Sequence, residues 1–413
     1  MFRISQYMKI LHDQTPLGVK RQPPGPVVIW NLIRRCNLTC KHCYTVSANT
    51  HFPGELTTEE VYTVMDDLKD YRVPVLILSG GEPLLRPDIF DIAKRAKEKG
   101  FYVGLSSNGT LIDEENIKKI AEVGFNYVGV SIDGLKENND EFRQMQGGFD
   151  AALKGLELCK QYDIKAGLRF TLTEQNCNDL PALLDIMDER KIEKFYLSHL
   201  NYSGRGKRNR KGDAYFKTTR DAMDLLFQRA WDDAVAGKMT EYVTGNNDAD
   251  GVYLLHWAEK HLPDRAPLLK QHLESWGGNA SGMHISNIDN LGNVHPDTFW
   301  WNHNLGNVKE RPFSDIWENT DDELMLGLRQ SPRAIKGRCS QCEYFKICGG
   351  NTRTRAFSFD GDYWGEDPGC YLENSEIGLP ELKNDDPAAA IACSQDAIDV
   401  SRLEAGLEKI VGI

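Results

Sequence analysis

The sequence predicts an α/β fold: a partial (β/α)6 TIM-like barrel followed by a smaller cysteine-rich module. Six short apolar runs alternate with longer amphipathic stretches through the first half of the chain, which is the rhythm of parallel strands joined by crossover helices. Four of the ten cysteines then gather between residues 339 and 370. A flavodoxin-like open sheet is the competing topology for the same alternation.

The six strands are predicted at 27–33, 75–79, 101–107, 127–132, 166–172 and 194–200. The helix pattern after the first strand begins at Thr57, which stands three residues before Glu60 as in a capping box. Amphipathic stretches follow at 87–99, ending at Gly100, and at 113–123, ending at Gly124; two more lie at 149–162 and 179–190. Residues 1–26 read as an irregular lead-in with an extended, Pro-fixed end at 21–26. The barrel is expected over 27–215, a helical linker region over 216–276, the cysteine-rich module over 277–380, and an acidic tail with one terminal helix over 381–413.

The 413 residues carry a formal net charge of -12, with cations spread along the chain, so nucleic acid is excluded as the main partner. The exception is Arg205, Lys207, Arg208, Arg210 and Lys211, a basic run read as a solvated loop, with contact to an anionic ligand as the alternative. No stretch is apolar enough for a membrane span, and the N-terminus lacks the order of a signal peptide, so a cytoplasmic protein is expected. Ten cysteines in that compartment point to metal or redox chemistry rather than to disulfides.

Cys36, Cys40 and Cys43 lie on one loop directly after the first predicted strand. A [4Fe-4S] cluster takes four thiolates, so three leave one iron open to an exogenous ligand. A zinc site with His42 as fourth ligand is the plainer alternative, but adjacent residues 42 and 43 make poor simultaneous ligands.

CxxxCxxC after the first strand of a β/α array resembles the signature of the radical S-adenosylmethionine (SAM) superfamily. The resemblance implies that the open iron chelates the cosubstrate and that electron transfer yields a 5'-deoxyadenosyl radical. It places Tyr44 against the adenine. Gly80, Gly81 and Glu82 after the second strand would approach the methionine ammonium, the glycines because a Cβ would block that approach. Ser131 and Asp133 follow the fourth strand and Arg143 lies twelve positions after Ser131, where related enzymes contact ribose and carboxylate. Asn108, in the turn after the third strand, is a weaker cosubstrate candidate.

Cys339, Cys342, Cys348 and Cys370 can close a metal site completely. Zinc is the plain reading. The resemblance favours a second, auxiliary [4Fe-4S] cluster in a SPASM/twitch-like module, taking up the surplus electron. Asp297 stands where two-cluster relatives have a further thiolate, which argues for a single auxiliary cluster. Cys159, Cys177 and Cys393 have no partner spacing and read as incidental thiols.

Three Gly-, Asn- and aromatic-rich stretches, 244–250, 276–282 and 295–301, suit either the rim of a pocket for a large flat ligand or packed turns. Residues 1–376 resemble the radical enzymes of heme d1 biosynthesis. That likeness implies an iron tetrapyrrole substrate, 12,18-didecarboxysiroheme, from which two propionates are removed and replaced by oxo groups. It also implies a ferredoxin- or flavodoxin-type electron donor. His199, at the end of the sixth strand, is the first candidate for an axial ligand or proton donor to the substrate, with His284 and His295 as rivals. The alternatives are a tetrapyrrole propionate decarboxylase, a peptide-modifying radical maturase, and a non-catalytic zinc scaffold.

Overall fold

The computed structural model describes residues 1–18 and 25–380. Most of the Pro-rich lead-in segment and all of the acidic tail, with its expected helix and Cys393, lie outside the described residues. Among the described residues eleven strands form one sheet: β1 (Phe2–Arg3), β2 (Val27–Asn31), β3 (Val75–Ser79), β4 (Tyr102–Ser107), β5 (Tyr127–Ser131), β6 (Ala166–Leu172), β7 (Lys194–His199), β8 (Glu241–Gly245), β9 (Ile285–Ile288), β10 (Asn293–His295) and β11 (Gly306–Asn307). Their spatial order is β1-β8-β7-β6-β5-β4-β3-β2-β9-β10-β11.

Strands β2 to β7 are the six expected from the alternation, and each pairs in parallel with the next. β8 and β9 extend the parallel run at its two ends and do not pair with each other, so the barrel is open. The helix-facing side of the sheet buries Val28, Trp30, Leu78, Leu105, Val130 and Phe170 against residues such as Val61, Met65 and Leu68 of the helix Thr58–Asp70. Each fully buried apolar side chain of this kind contributes about 1.5–3 kcal/mol, so this layer carries the stability of the domain. The opposite face bears Asn31, Ser79, Ser106, Ser131, Arg169 and Ser198. A polar inner face adds little to a core and is suited to receiving a ligand.

Local signals act where the sequence places them. Thr57 Oγ1 accepts from Glu60 N at 3.2 Å and Glu60 Oε2 accepts from Thr57 N at 2.8 Å, completing the capping box. Gly124 ends its helix in the left-handed conformation at φ 67°, which a Cβ would disfavour.

Two expectations are corrected. The lead-in is not irregular throughout: β1 pairs antiparallel with β8, and residues Ile4–Asp13 form a helix that buries Ile4, Met8 and Leu11. Their spacing of four and three is a helical face, and it packs on the helix Phe216–Val235. The region 216–276 is not purely helical either, because β8 lies within it. At five residues between two longer helices, that strand leaves little periodic signal.

Candidate active site

The loop that leaves β2 is held from several sides. Cys36 N donates to Ala48 O at 3.0 Å, Cys43 N to Cys40 O at 3.3 Å, and Lys41 N to Phe142 O at 2.9 Å. Cys36 is buried, Cys40 and Cys43 are partly so, and none is in a disulfide. Leu38 N lies 3.4 Å from Cys36 Sγ and donates to it, while Cys43 Sγ and Thr45 Oγ1 are 3.2 Å apart. Burial pushes the Cys36 thiol up to about 12 and the Cys40 thiol to about 11. A bound metal reverses that preference, because it takes thiolates and releases their protons.

Gly80 and Gly81 are required by contacts within the protein itself. Gly81 N donates to Ile33 O at 2.6 Å and Glu82 N to Arg35 O at 2.9 Å, so this turn lies directly on the cysteine loop. A Cβ at Gly80 would collide with the Ile33 carbonyl, and one at Gly81 with the carbonyls of Arg34 and Arg35. The close approach is to the protein's own backbone.

Glu82 follows in full burial. Ser107 Oγ donates to its Oε1 at 2.9 Å, Leu84 N to the same oxygen at 3.1 Å, and Asn108 N to Oε2 at 2.7 Å. Burial outweighs these donors and lifts the carboxyl to about 7. An ammonium group brought beside it would restore the charged form. Asn108 Nδ2 donates to Asn37 Oδ1 at 2.8 Å and lies 3.8 Å from Cys36 Sγ, tying the end of β4 to the cysteine loop.

Beyond Ser131 at the end of β5, Asp133 is buried, and its Oδ1 accepts from Thr171 N at 2.7 Å. Its Oδ2 faces Arg143 Nη2 at 2.8 Å and His42 Nε2 at 3.6 Å. Arg143 Nη1 in turn lies 4.0 Å from Cys40 Sγ, and His42 stacks on Phe142 with ring centroids 4.7 Å apart. Arg143, Asp133 and His42 thus close around the cysteine loop.

Tyr44 OH accepts from Asn31 Nδ2 at 2.8 Å, and its ring meets Phe299 and Trp301 edge-on at 5.5 and 6.1 Å. Trp301 stacks on His295 at 6.0 Å. Asp297 accepts from Phe299 N at 2.7 Å and shapes the turn that presents this aromatic wall. Of the three loop stretches, 295–301 faces the site, and 244–250 reaches the inner face through Asn246, whose Nδ2 donates to Ser198 Oγ at 2.7 Å. The next residue turns to the cysteine module, with Asn247 Nδ2 donating to Gly369 O at 2.7 Å, and in 276–282 Gly278 packs on the Cys348 backbone.

One residue went unnoticed in the sequence. Arg169 on β6 sends its stem across Gly129, where a Cβ would lie 2.8 Å from Arg169 Cδ, and donates to Ser106 Oγ. Its guanidinium lies over the Tyr196 ring, 5.3 Å from the centroid, and has no carboxylate partner among the described residues. An arginine inside an otherwise apolar strand is the signal that could have found it.

His199 is a correction. It shares the face of Phe195 and Leu197, so its imidazole points away from the inner face that carries Arg169 and Ser198. Its Nε2 donates to Asp250 Oδ2 at 3.0 Å, and Tyr371 OH donates to Asp250 Oδ1 at 2.8 Å. An axial ligand to a substrate on the inner face cannot come from there. Of its rivals, His295 lies behind Trp301 with Nδ1 2.7 Å from His303 O, and the backbone of His284 pairs with Val27.

The second cysteine group converges. Cys339, Cys342, Cys348 and Cys370 line one cavity whose other walls are Arg338 and apolar side chains, including Val252 and Phe345. Arg338 Nη2 donates to Cys370 O at 2.8 Å, fixing the loop that carries this cysteine. Arg355 and Asp367, both fully buried, form two parallel bonds of 2.9 Å, and Arg355 Nη1 donates to Leu200 O at 3.1 Å, which locks the module onto the end of β7.

Residues 30–187 match the family model of the radical SAM superfamily, and the chain belongs to that superfamily. It is an enzyme class that uses a [4Fe-4S] cluster and SAM. The chain is 52% identical over 380 residues to pre-heme d1 synthase of Dinoroseobacter shibae, covering 92% of this chain and 94% of that protein. It is 45% identical over 359 residues to Fe-coproporphyrin III synthase of Methanosarcina barkeri, covering 86% and 90%. The fold is shared with Streptococcus suis SuiB bound to S-adenosylmethionine, at a TM-score of 0.65 and 19% identity over 84% of this chain and 78% of that one.

The residues fit the family's cofactors. Around the first cysteine group the buried His42 Nδ1, Arg143 Nε and Arg205 Nη2 have no hydrogen-bond partner among the described residues, a donor capacity that a bound group could use. The second group offers four thiols around one space.

Proposed function

We propose that this chain is the radical SAM enzyme of heme d1 formation, removing two propionate side chains of 12,18-didecarboxysiroheme and leaving oxo groups. The reading is carried by the 52% identity to pre-heme d1 synthase across nearly the whole length of both chains. The site supports it with an unpaired Arg169 on the inner face and a wall of Tyr44, Phe299 and Trp301, which suit a flat macrocycle bearing carboxylates.

When bound, the cluster and SAM supply a 5'-deoxyadenosyl radical for abstracting a hydrogen atom from a propionate. Cys36, Cys40 and Cys43 would hold that cluster, leaving one iron for the cosubstrate. Glu82 receives the methionine ammonium, with Gly80, Gly81 and Asn108 setting its position. Ser131 meets the ribose, while Asp133 aims Arg143 at the carboxylate. Tyr44 lies against the adenine, and with Phe299 and Trp301 it closes the wall that faces the macrocycle and excludes water. Arg169 grips a substrate carboxylate bidentately. Cys339, Cys342, Cys348 and Cys370 would hold one auxiliary [4Fe-4S] cluster, and Asp297 leaves no thiolate for another. No helix among the described residues is long and apolar enough to cross a membrane.

The 45% identity to Fe-coproporphyrin III synthase supports a second reading, a propionate or acetate decarboxylase of the alternative heme route. The product formed from didecarboxysiroheme separates the two: a tetrapyrrole that has exchanged two propionates for oxo groups is expected, and an iron coproporphyrin would establish the second reading.

A further inference from the structure

The basic run 205–211 is no ordinary solvated loop, because its backbone is built onto the first cysteine group. Arg205 N donates to Cys43 O at 2.9 Å, Arg205 Nε to Cys40 O at 2.7 Å, and Arg205 Nη1 to Ser47 O at 2.9 Å. Asn209 Nδ2 donates to Lys41 O at 2.8 Å. Gly204 packs so closely that a Cβ would collide with the carbonyls of Cys43 and Tyr44. One side of the loop therefore clasps two of the three cysteines through their carbonyls.

The other side faces solvent. Lys207, Arg208 and Lys211 are exposed, Arg210 is partly so, and none has an ion-pair partner among the described residues. Residues 201–212 contain no Asp or Glu, in a chain whose net charge is -12. Exposed cations elsewhere are commonly neutralised, as Lys119 is by Glu115 and Lys217 by Asp221. Tyr215, 52% exposed, adds an aromatic group of the kind that anchors interfaces at the patch's edge. A concentrated field of this sign attracts an anionic protein, and the loop's attachment to the Cys40 and Cys43 backbone sets such a partner directly over the cysteine loop.

We infer that the 204–215 loop is the docking surface for an acidic one-electron carrier protein, which delivers its electron through the Cys40–Cys43 backbone. The inference rests on the reading that Cys36, Cys40 and Cys43 hold a reducible cluster. In each encounter the carrier is oxidised by one electron and the cluster is reduced by one, with no atom transferred.

The test uses the reconstituted holoenzyme, a purified acidic flavodoxin as the carrier, and dithionite as a small reductant that needs no docking. The triple variant Lys207→Glu, Arg208→Glu, Lys211→Glu is compared with Lys9→Glu, Lys118→Glu, which alters exposed cations elsewhere. In the loop variant, flavodoxin affinity by calorimetry and cluster bleaching by reduced flavodoxin are each expected to fall about ten-fold or more at low salt. Iron content and dithionite bleaching should stay at wild-type values, and the wild-type flavodoxin rate should fall as salt rises. Unchanged flavodoxin affinity and bleaching in the loop variant would overturn the inference, as would an equal loss in the control pair. If dithionite fails to bleach the wild-type protein, the cluster reading itself falls, and the inference with it.

Discussion

Arg143 and Asp133 form an ion pair 2.8 Å long beside the Cys40 thiol, so the position of the guanidinium is set from β6, whose Thr171 N holds the other carboxylate oxygen. Both side chains are nearly inaccessible to water, so the pair is not weakened by solvent screening. Asp133→Asn keeps the shape and removes the charge. Losing one partner of a buried pair costs about 3–5 kcal/mol, so thermal unfolding should shift clearly downward. SAM affinity by calorimetry should fall at least about ten-fold, because Arg143 loses its aim. Wild-type SAM affinity in a destabilised variant would reduce Asp133 to a purely structural residue.

Glu82 makes cosubstrate binding pH-dependent. Its carboxyl is raised by burial to about 7, above the ordinary value of 4.5. A group with a raised folded-state value favours the protonated fold, so its contribution to the stability of the ligand-free protein is complete below 4.5 and is lost as pH rises through about 7. Ammonium binding needs the carboxylate and therefore runs the other way, with SAM affinity rising as pH increases from about 6 to 8. Glu82→Gln should flatten that profile at the weak end. A wild-type affinity independent of pH over this window would remove Glu82 from the ammonium site.

Arg169 separates cosubstrate from substrate. Arg169→Met is expected to leave iron content and SAM affinity unchanged and to weaken didecarboxysiroheme binding about 10- to 100-fold, roughly 1.4–2.8 kcal/mol. A methyl-esterified tetrapyrrole should bind the wild type and the variant alike. If the ester distinguishes them as strongly as the free acid does, the guanidinium is not gripping a carboxylate.

His199 should act through the fold. With Asp250 and Tyr371 it links β7 to the loop of Cys370, and losing a buried hydrogen bond of this kind costs about 1–3 kcal/mol. His199→Gln should lower the unfolding temperature and leave the absorption spectrum of bound ferric substrate unchanged. A shifted spectrum would return the imidazole to the iron.

Much of this architecture is legible in the sequence because it is local. Period-two burial marks β2 to β7, and the Thr57–Glu60 box and Gly124 mark helix ends. Cys36, Cys40 and Cys43 announce themselves by spacing alone. The face of His199 is legible too, since Phe195 and Leu197 at alternate positions show which side of β7 is buried. Other features depend on distant chain segments. The partners of His199 lie 51 and 172 positions on, at Asp250 and Tyr371, and the demand for glycine at 80 and 81 comes from carbonyls some 47 residues earlier. The basic loop's role needed its backbone bonds to Cys40 and Cys43, which no composition reveals.

The most direct measurement is mass spectrometry of the tetrapyrrole after anaerobic incubation of the holoenzyme with reductant, SAM and didecarboxysiroheme. The proposed function predicts a product that has lost two propionates and gained two oxo groups, formed in step with deoxyadenosine. Intact propionates alongside accumulating deoxyadenosine would contradict it and assign the radical to a different substrate.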